Sequence, residues 1–353
     1  MRLLFRADAS RRIGSGHAMR CLTLARALRG QGAEPCFASR LLDGHLGEAI
    51  AAEFPFVPLP ATYPGDDPAG AAEAAIDGQA DLAALAGALD GRRFDCCVVD
   101  HYGLDARWER GAQAFADRLM AIDDLANRPH AARLLLDQNL TATPAAYAGL
   151  LPPDCRSLLG PGYALLREEF ADAGERAFAA QARRVLVSFG GADPTGETRK
   201  ALRALATLDG LEVEVIAGAA NPAFEAIAAD CAAHGWRLER QVNDMAARMR
   251  AAEIFVGAGG ATSWERAALG LPTVCIAVAD NQRANAELLA ARGAQVYLGP
   301  ADAVDEAAIA QAVAELAADR GRRAAMASAA RALVDGQGTA RVCAALWAMN
   351  GEH

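Results

Sequence analysis

Apolar runs of strand length recur in the first half of the chain, and each of them ends in polar side chains. Stretches with helical spacing of apolar residues, such as 22–29 and 108–115, separate these runs. Strands alternating with helices favour a parallel sheet, in which the carboxyl ends of the strands share one edge. Ligands of such sheets bind along that edge. The sequence therefore predicts a single crevice, lined by the polar clusters that end the runs 3–8, 94–102, 118–124 and 134–139.

The first of these strands leads into a turn that suits an anionic ligand. It ends at Asp8, passes Gly14 and Gly16, and reaches His17 at the start of a helical pattern. Glycine lets the backbone approach a ligand closely, and a helix N-terminus offers free N–H groups and partial positive charge. That charge disfavours imidazolium, so we expect His17 to be largely neutral near pH 7 and able to accept a proton. The alternative is an ordinary polar residue at a helix start.

The composition favours a globular protein of about two domains. The chain has 353 residues, of which 53% are hydrophobic, and a formal net charge of −9. Such an acidic chain lacks the clustered Lys and Arg that a nucleic-acid backbone requires, so no nucleic-acid partner is expected. The first strand starts at once and no apolar run has the length of a bilayer, so we expect a cytoplasmic protein without membrane attachment.

The eight cysteines indicate neither a metal site nor a disulfide framework. They are scattered, without the C-x-x-C spacing of a zinc site. We expect reduced core residues, with Cys96 and Cys97 pointing to opposite faces of one strand. No metal and no cofactor are expected.

The second half repeats the alternation, and its strands end in glycine-rich turns. One turn contains Gly190 and Gly191, and another contains Gly259 and Gly260. Each turn precedes a helical pattern, and the pattern 262–269 is closed by glycine and proline. Two such turns at two helix N-termini predict a diphosphate site.

Proline and glycine between residues 151 and 163 indicate a domain boundary. We expect an N-terminal α/β domain at residues 1–165 and a C-terminal one at residues 166–353. The helical segment 340–349 is a candidate to pack back onto the first domain.

Glu265 lies three residues after Thr262 at the start of a predicted helix. A carboxylate there can accept both hydroxyls of a ribose while the helix N-terminus takes the phosphates. The same spacing fits a capping box, in which the two side chains satisfy the first N–H groups of the helix. The two roles can coexist.

Two other nucleotide sites are disfavoured. The dinucleotide fingerprint requires a third small residue three positions after Gly16, where Met19 stands. A P-loop requires Gly-Lys-Ser or Gly-Lys-Thr, and the chain has neither.

Several ordered motifs resemble the UDP-sugar hydrolases of pseudaminic acid biosynthesis. In the first half they are Arg-Ala-Asp-Ala-Ser with Ile-Gly-Ser-Gly-His, and the segments 99–103, 122–124 and 163–170. In the second half the segments 257–266, 270–272 and 280–282 are similar to that family and to the N-acetylglucosaminyltransferase of peptidoglycan synthesis. The resemblance extends from residue 2 to about residue 300.

The resemblance implies two Rossmann-like parallel-sheet domains in the glycosyltransferase B (GT-B) architecture. UDP would bind to the C-terminal domain, and the sugar would face the N-terminal one. The implied substrate is UDP-2,4-diacetamido-2,4,6-trideoxy-β-L-altropyranose, and we expect a monomer. His17 would be the main catalytic residue, with Tyr102 near the sugar; the strand-end pattern adds Asp8 and Asp100 to the predicted catalytic set.

The resemblance also implies contacts to each part of the nucleotide. Glu265 would hold the ribose, the turns at Gly191 and Gly260 together with Thr262 the diphosphate, and the backbone near Val242 the uracil. Asn281 and Gln282 stand where the peptidoglycan enzyme has paired glutamines, a difference that fits another sugar. The predicted substrate-binding residues are Gly14, Gly16, Arg20, Gly191, Val242, Gly260, Ala261, Thr262, Glu265, Asn281 and Gln282.

Asp123 and Asp124 are adjacent and could form a catalytic pair. Neighbouring side chains after a strand diverge, however, which favours a structural role in a turn.

The implied reaction is attack of water on the anomeric carbon with inversion, which releases UDP and the free sugar. His17 would take the proton of the water, and UDP is a good enough leaving group to need no carboxylic acid. Two alternatives stay open: a GT-B transferase that passes the sugar to an acceptor, and a noncatalytic nucleotide-sugar binding protein.

Overall fold

The structure is a computed structural model, which describes residues 1–63, 76–172, 174, 176–191, 193, 195–218 and 221–351. Contacts divide the chain into two compact units. Unit 1 comprises Met1–Leu165 and Gln337–His353, and unit 2 comprises Leu166–Gly336. Within the described residues, no helix combines the length and the apolar character needed to cross a membrane.

Unit 1 is built on a parallel seven-stranded sheet with the strand order β3-β2-β1-β4-β5-β6-β7. Apolar side chains of successive residues pack on opposite faces, as Leu3 and Leu4 do. Cys96 and Cys97 likewise lie in different core clusters, which confirms the predicted alternation. The strands are β1 (Arg2–Ala7), β2 (Glu34–Arg40), β3 (Phe56–Leu59), β4 (Phe94–Asp100), β5 (Ala116–Ile122), β6 (Leu134–Asp137) and β7 (Arg156–Leu159).

The helices of unit 1 cover both faces of this sheet. Aspartates cap two of them, because the Asp77 and Asp105 side chains accept the first free N–H groups of the helices that follow. Within the described residues, the helices are α1 (Gly16–Gly30), α2 (Gly47–Ala51), α3 (Gly78–Leu89), α4 (Ala106–Ala112) and, from the C-terminal segment, α12 (Gly338–Gly351).

The last helix belongs to unit 1, so unit 2 ends at Gly336 and not at the predicted residue 353. Val342 and Leu346 of α12 are buried in the same core as Leu24 and Leu28 of α1. Burial of this apolar stripe explains why the chain returns to the first unit.

Unit 2 is built on a parallel six-stranded sheet with the strand order β10-β9-β8-β11-β12-β13. The central strands β11 and β12 are buried throughout, and β8 is buried at its three middle residues. The strands are β8 (Arg184–Ser188), β9 (Glu212–Ala217), β10 (Arg237–Arg240), β11 (Ile254–Ala258), β12 (Thr273–Ala277) and β13 (Val296–Pro300).

In unit 2, helices α5 to α9 connect successive strands, and α10 and α11 follow the last strand. Asp305 and Asp319 cap α10 and α11 through their side chains. Within the described residues, the helices are α5 (Glu197–Leu205), α6 (Phe224–His234), α7 (Met245–Ala251), α8 (Thr262–Ala268), α9 (Asp280–Ala291), α10 (Glu306–Ala318) and α11 (Arg320–Leu333).

Each sheet has a point where the strand order reverses. In unit 1 this point lies between β1 and β4, and in unit 2 it lies between β8 and β11. Open parallel sheets bind ligands in the crevice at this point, outside the carboxyl ends of the strands. Each unit therefore has one topologically favoured site, and the sequence placed His17 and the glycine-rich turns at these two points.

Candidate active site

His17 and Asp100 form a buried pair at the switch point of unit 1. His17 is the second residue of α1, and Asp100 is the last residue of β4. The Nδ1 atom of His17 lies 2.5 Å from Oδ1 of Asp100, a distance that requires a proton between the two atoms. Because Asp100 is a carboxylate, we assign this proton to Nδ1 from the hydrogen-bond partners. Nε2 is then the nitrogen that can accept a proton.

Arg20 keeps Asp100 ionised. Its Nε and Nη2 atoms donate to the two carboxylate oxygens at 2.6 and 2.7 Å, in a bidentate pair. Burial alone would raise the pKa of Asp100, but the charge of Arg20 and the hydrogen bonds from Arg20 and His17 outweigh burial, so this pKa lies well below its usual range. The negative charge next to Nδ1 is therefore permanent at neutral pH, and it orients the imidazole.

Asp124 is the second anchor of Arg20. The Nη1 atom of Arg20 donates to both carboxylate oxygens of Asp124, at 2.9 and 2.8 Å. Tyr102 Oη and Asn139 Nδ2 donate to the same carboxylate at 2.9 and 3.1 Å. The predicted turn role is thus wrong for Asp124, because the adjacent strands β4, β5 and β6 bring these donors to it.

Tyr102 packs against His17 and serves as a donor. The two rings are 4.6 Å apart between centroids and nearly perpendicular, at 87°. Burial, and next the charge of Asp124, raise the pKa of Tyr102 well above its usual value, so the phenol stays neutral. Since its proton is directed to Asp124, Tyr102 positions the cluster and is not a proton acceptor at neutral pH.

Asp8, a predicted catalytic residue, is part of a separate buried network. Arg6 donates to both of its oxygens at 2.6 and 2.9 Å, and the backbone N–H of Arg40 donates at 2.8 Å. The Nε2 atom of His101 lies 3.3 Å from Oδ2. Burial opposes ionisation of Asp8, but Arg6 and His101 outweigh it and lower its pKa. Four donors occupy the carboxylate, so the geometry gives Asp8 a structural role at the strand end.

Asp123 has the predicted turn role. Its carboxylate accepts the backbone N–H groups of Leu125 and Ala126 at 3.3 and 2.9 Å. It also accepts from Tyr147, whose single hydroxyl lies 2.9 Å from both Asp123 and Asp137. One hydroxyl hydrogen cannot serve two carboxylates, so a second proton is required. Asp137 carries it, because burial raises the pKa of Asp137 to about 7.

This shared proton predicts a pH-dependent stability for Asp137→Asn. A carboxyl whose pKa rises on folding stabilises the protein at low pH, and this stabilisation is lost as the pH rises through about 7. Asparagine mimics the protonated acid, so the variant should gain stability relative to the wild type as the pH rises from about 4 to about 7, by up to about 4 kcal/mol. Urea unfolding at several pH values measures this difference.

Asp154→Asn is the matched control, because Asp154 forms an exposed ion pair with Arg133. A difference between Asp137→Asn and the wild type that does not change with pH would contradict the shared proton. The carboxyls of Asp8, Asp100 and Asp123 have lowered pKa values. They do not interfere with this test, because the stability that they contribute is lost only at more acidic pH.

The helices that follow the two glycine-rich turns of unit 2 differ in whether a side chain caps them. At α5 the carboxylate of Asp193 accepts the N–H groups of Glu197 and Thr198, both at 2.9 Å. The protein thus supplies its own anion at the start of α5, and these two N–H groups are already bonded to a carboxylate. At α8 the N-cap residue is Ala261, and no side chain caps the helix.

The capping-box interpretation of Thr262 and Glu265 is also wrong. The helix begins at Thr262 itself, whose Oγ1 accepts from Arg266 Nη1 at 3.3 Å. Glu265 contacts Arg167 Nη2 at 3.3 Å. Burial raises the pKa of Glu265, and Arg167 opposes that shift. Glu265 is therefore held by an arginine and not by the helix start.

The remaining predicted residues lie after the ends of strands, in loops or in the first turns of the helices that follow. Gln282, in the first turn of α9, accepts the N–H groups of Gly259 and Val278 at 3.2 and 3.1 Å, and so joins two of the turns. Asn281 is exposed beside it, and Val242 is half-buried between β10 and α7. Gly14 has a φ of 82°, which favours glycine, and with Gly16 it is exposed in front of α1.

Asp124 and Asn139 are site residues that sequence reasoning did not assign. Both belong to strand-end clusters that the sequence did predict to converge. The missing information was the order of the strands, because only the adjacency of β4, β5 and β6 shows which polar residues meet.

Comparisons with known proteins show the fold, together with similarity over parts of the chain. Residues 235–340 match the model of the glycosyltransferase family 28 C-terminal domain. The chain is 29% identical over 192 residues to the spore coat polysaccharide biosynthesis protein SpsG of Bacillus subtilis, covering 53% of this chain and 57% of that protein. It is 30% identical over 171 residues to the UDP-2,4-diacetamido-2,4,6-trideoxy-beta-L-altropyranose hydrolase of Campylobacter jejuni, covering 48% and 53%. The matches thus span about half the length of these curated relatives.

A solved structure matches over nearly the whole chain. The structure of MurG from Acinetobacter baumannii has a TM-score of 0.68 and 16% identity, and the match covers 99% of both chains. The protein consists of two parallel-sheet α/β units with the GT-B fold, and its residues 235–340 match the C-terminal domain of family 28 glycosyltransferases.

Proposed function

We propose that this protein hydrolyses a UDP-sugar, and that the substrate is UDP-2,4-diacetamido-2,4,6-trideoxy-β-L-altropyranose. Water attacks the anomeric carbon, the bond from that carbon to the diphosphate oxygen breaks, and UDP leaves with the electron pair. The attack inverts the anomeric centre and releases the free sugar. The partial relative that carries this hydrolase name supports the choice of substrate.

The observation that carries the proposal is the pairing of His17 with Asp100. Because Nδ1 donates to Asp100 at 2.5 Å, Nε2 is the acceptor nitrogen. An imidazole held in this tautomer is a general base, and the carboxylate stabilises the imidazolium that forms when water gives up its proton. A protein that only binds a nucleotide-sugar would not need such a pair.

Unit 2 provides the features expected of a nucleotide site. Gly257 allows the strand ends to approach closely, since a Cβ there would collide with the carbonyl of Ser188. The turn at Gly259 and Gly260 leads into α8, whose start has no side-chain cap. The positive end of the helix dipole there favours an anion such as a diphosphate. Glu265 follows in that helix as the proposed ribose acceptor. Stabilisation of the negative charge on the leaving diphosphate by the start of α8 would favour bond breaking.

The second candidate is a transferase that passes the sugar to an acceptor. It is favoured by the match to the family 28 glycosyltransferase domain. His17 would then take the proton of an acceptor hydroxyl in place of water. The acceptor requirement separates the two reactions.

Incubation of the protein with the UDP-sugar alone tests the proposal. We expect UDP release without any acceptor, and, in water enriched in ¹⁸O, incorporation of the label into the free sugar and not into UDP. Proton NMR at early times should show the inverted anomer. Release of UDP only when an acceptor is added would support the transferase, and binding without any turnover would support a noncatalytic role.

A further inference from the structure

The imidazole of His17 is surrounded by charged and titratable groups from three parts of unit 1. Arg20 and Cys21 lie on the same helix, and the Cys21 thiol donates to Asp100 at 3.6 Å. Asp100 and Tyr102 come from the end of β4, and Asp124 follows β5. The proton affinity of His17 depends on the balance of these groups.

Arg20 creates an electrostatic conflict within this cluster. Its guanidinium orients Asp100, but its Nη2 atom also lies 3.1 Å from Nδ1 of His17. A positive charge at this distance disfavours imidazolium and weakens the ring as a base. Since the cluster is almost excluded from solvent, with Arg20 11% exposed and His17 8%, water does little to screen the repulsion.

Asp124 is placed to resolve this conflict. Its carboxylate accepts four hydrogen bonds, two from Arg20, one from Tyr102 and one from Asn139. A group that only accepts is ionised. With Asp100 and Asp124 both negative and Arg20 positive, protonation of His17 takes the cluster from one net negative charge to neutrality. Without the charge of Asp124 the same step would leave a net positive charge in a buried site.

We propose that Asp124 is a positioning residue that offsets the charge of Arg20, so that Arg20 can orient Asp100 without making His17 a poor base. The consequence for turnover rests on the proposed function, but the electrostatic role can be measured without it. Asp124 then acts on His17 through Arg20, and this role is separate from both a turn contact and a substrate contact.

The test is a histidine titration by NMR of the full chain labelled at the histidine Cε1 carbons. The His17 resonance is assigned by its absence in His17→Asn. We expect Asp124→Asn to lower the midpoint of the His17 titration by about one pH unit relative to the wild type. An unchanged or higher midpoint in a folded variant overturns the proposal. Asp124→Ser removes the same charge with a smaller side chain and serves if the asparagine variant does not fold.

The matched control is Asp117→Asn, on strand β5, which Asp124 follows. Asp117 pairs with Arg93 and is 55% exposed. Its replacement changes the net charge of the protein as much as Asp124→Asn does, but it removes no charge from the cluster around His17. We expect its His17 midpoint to equal that of the wild type. An equal shift in both variants would mean a general charge effect and would overturn a specific role for Asp124.

A kinetic readout separates this role from structural damage. In Asp124→Asn the acidic limb of the kcat/KM profile should move to lower pH by the same amount as the midpoint, whereas damage would lower the whole profile without moving it. A lowered midpoint in a protein that does not hydrolyse the UDP-sugar supports the charge role and overturns only the proposed function.

Discussion

His17→Asn should lower the rate of UDP release at least about 100-fold while leaving UDP binding unchanged. The asparagine amide can still donate to Asp100, which accepts from Nδ1 at 2.5 Å in the wild type. It provides no atom equivalent to the basic Nε2, so water would attack the anomeric carbon without a proton acceptor. UDP affinity should persist because the proposed nucleotide residues belong to unit 2. Steady-state rates of UDP release and calorimetric UDP titration measure the two quantities.

The control for this variant is His234→Asn in unit 2. His234 is exposed and stacks on Trp236, with 4.6 Å between the ring centroids. Its replacement should leave both turnover and UDP affinity close to the wild type. Turnover of His17→Asn within a few-fold of the wild type would remove His17 from the mechanism, even if the variant binds UDP normally.

Asp100→Asn should also reduce kcat about 100-fold or more, although His17 is intact. Asparagine presents an N–H group where the carboxylate accepted one, so the imidazole would turn its unprotonated nitrogen toward position 100. The proton would then reside on the nitrogen that must accept it from water. Loss of the negative charge also leaves Arg20 with one carboxylate, Asp124, at 2.8 Å. The nitrogen chemical shifts of His17 should report the exchanged tautomer.

Asp95→Asn is the control for this second variant. Asp95 lies on the same strand, where its carboxylate accepts the backbone N–H of Arg2 at 2.6 Å, and its side chain is 35% exposed. Its replacement should leave kcat and the His17 tautomer unchanged. An Asp100→Asn variant that keeps the wild-type tautomer and rate would show that the carboxylate does not orient the base.

The strand and turn at the start of the chain were readable because their signals are local. The apolar run, the glycines and His17 all lie within residues 3–17. The structure has β1 and α1 where this pattern predicts them. The glycine-rich turns after β8 and β11 were readable for the same reason. Local signals gave the alternation of strands and helices, and hence the α/β class.

The partners of individual side chains were not readable in this way. Asp193 lies only a few residues from the Gly191 turn, yet its cap on α5 depends on a backbone φ of 45° that the sequence does not reveal. The contact between Glu265 and Arg167 joins residues 98 positions apart. The spacing of Thr262 and Glu265 is that of a capping box. The Glu265 carboxylate instead pairs with Arg167, which is distant in the sequence.

The sequence by itself determined that this chain forms two parallel α/β units and that His17 stands at the mouth of the first helix, because hydrophobic period and glycine placement act over a few neighbouring residues. Only the tertiary structure decided which polar residues work together. Strand order brings Asp100 and Asp124 to one arginine, brings Asn139 to Asp124, and separates Asp8 into a network with Arg6. The physical reason is that a buried charge requires partners within hydrogen-bond distance, and chain order does not specify which strand ends are neighbours.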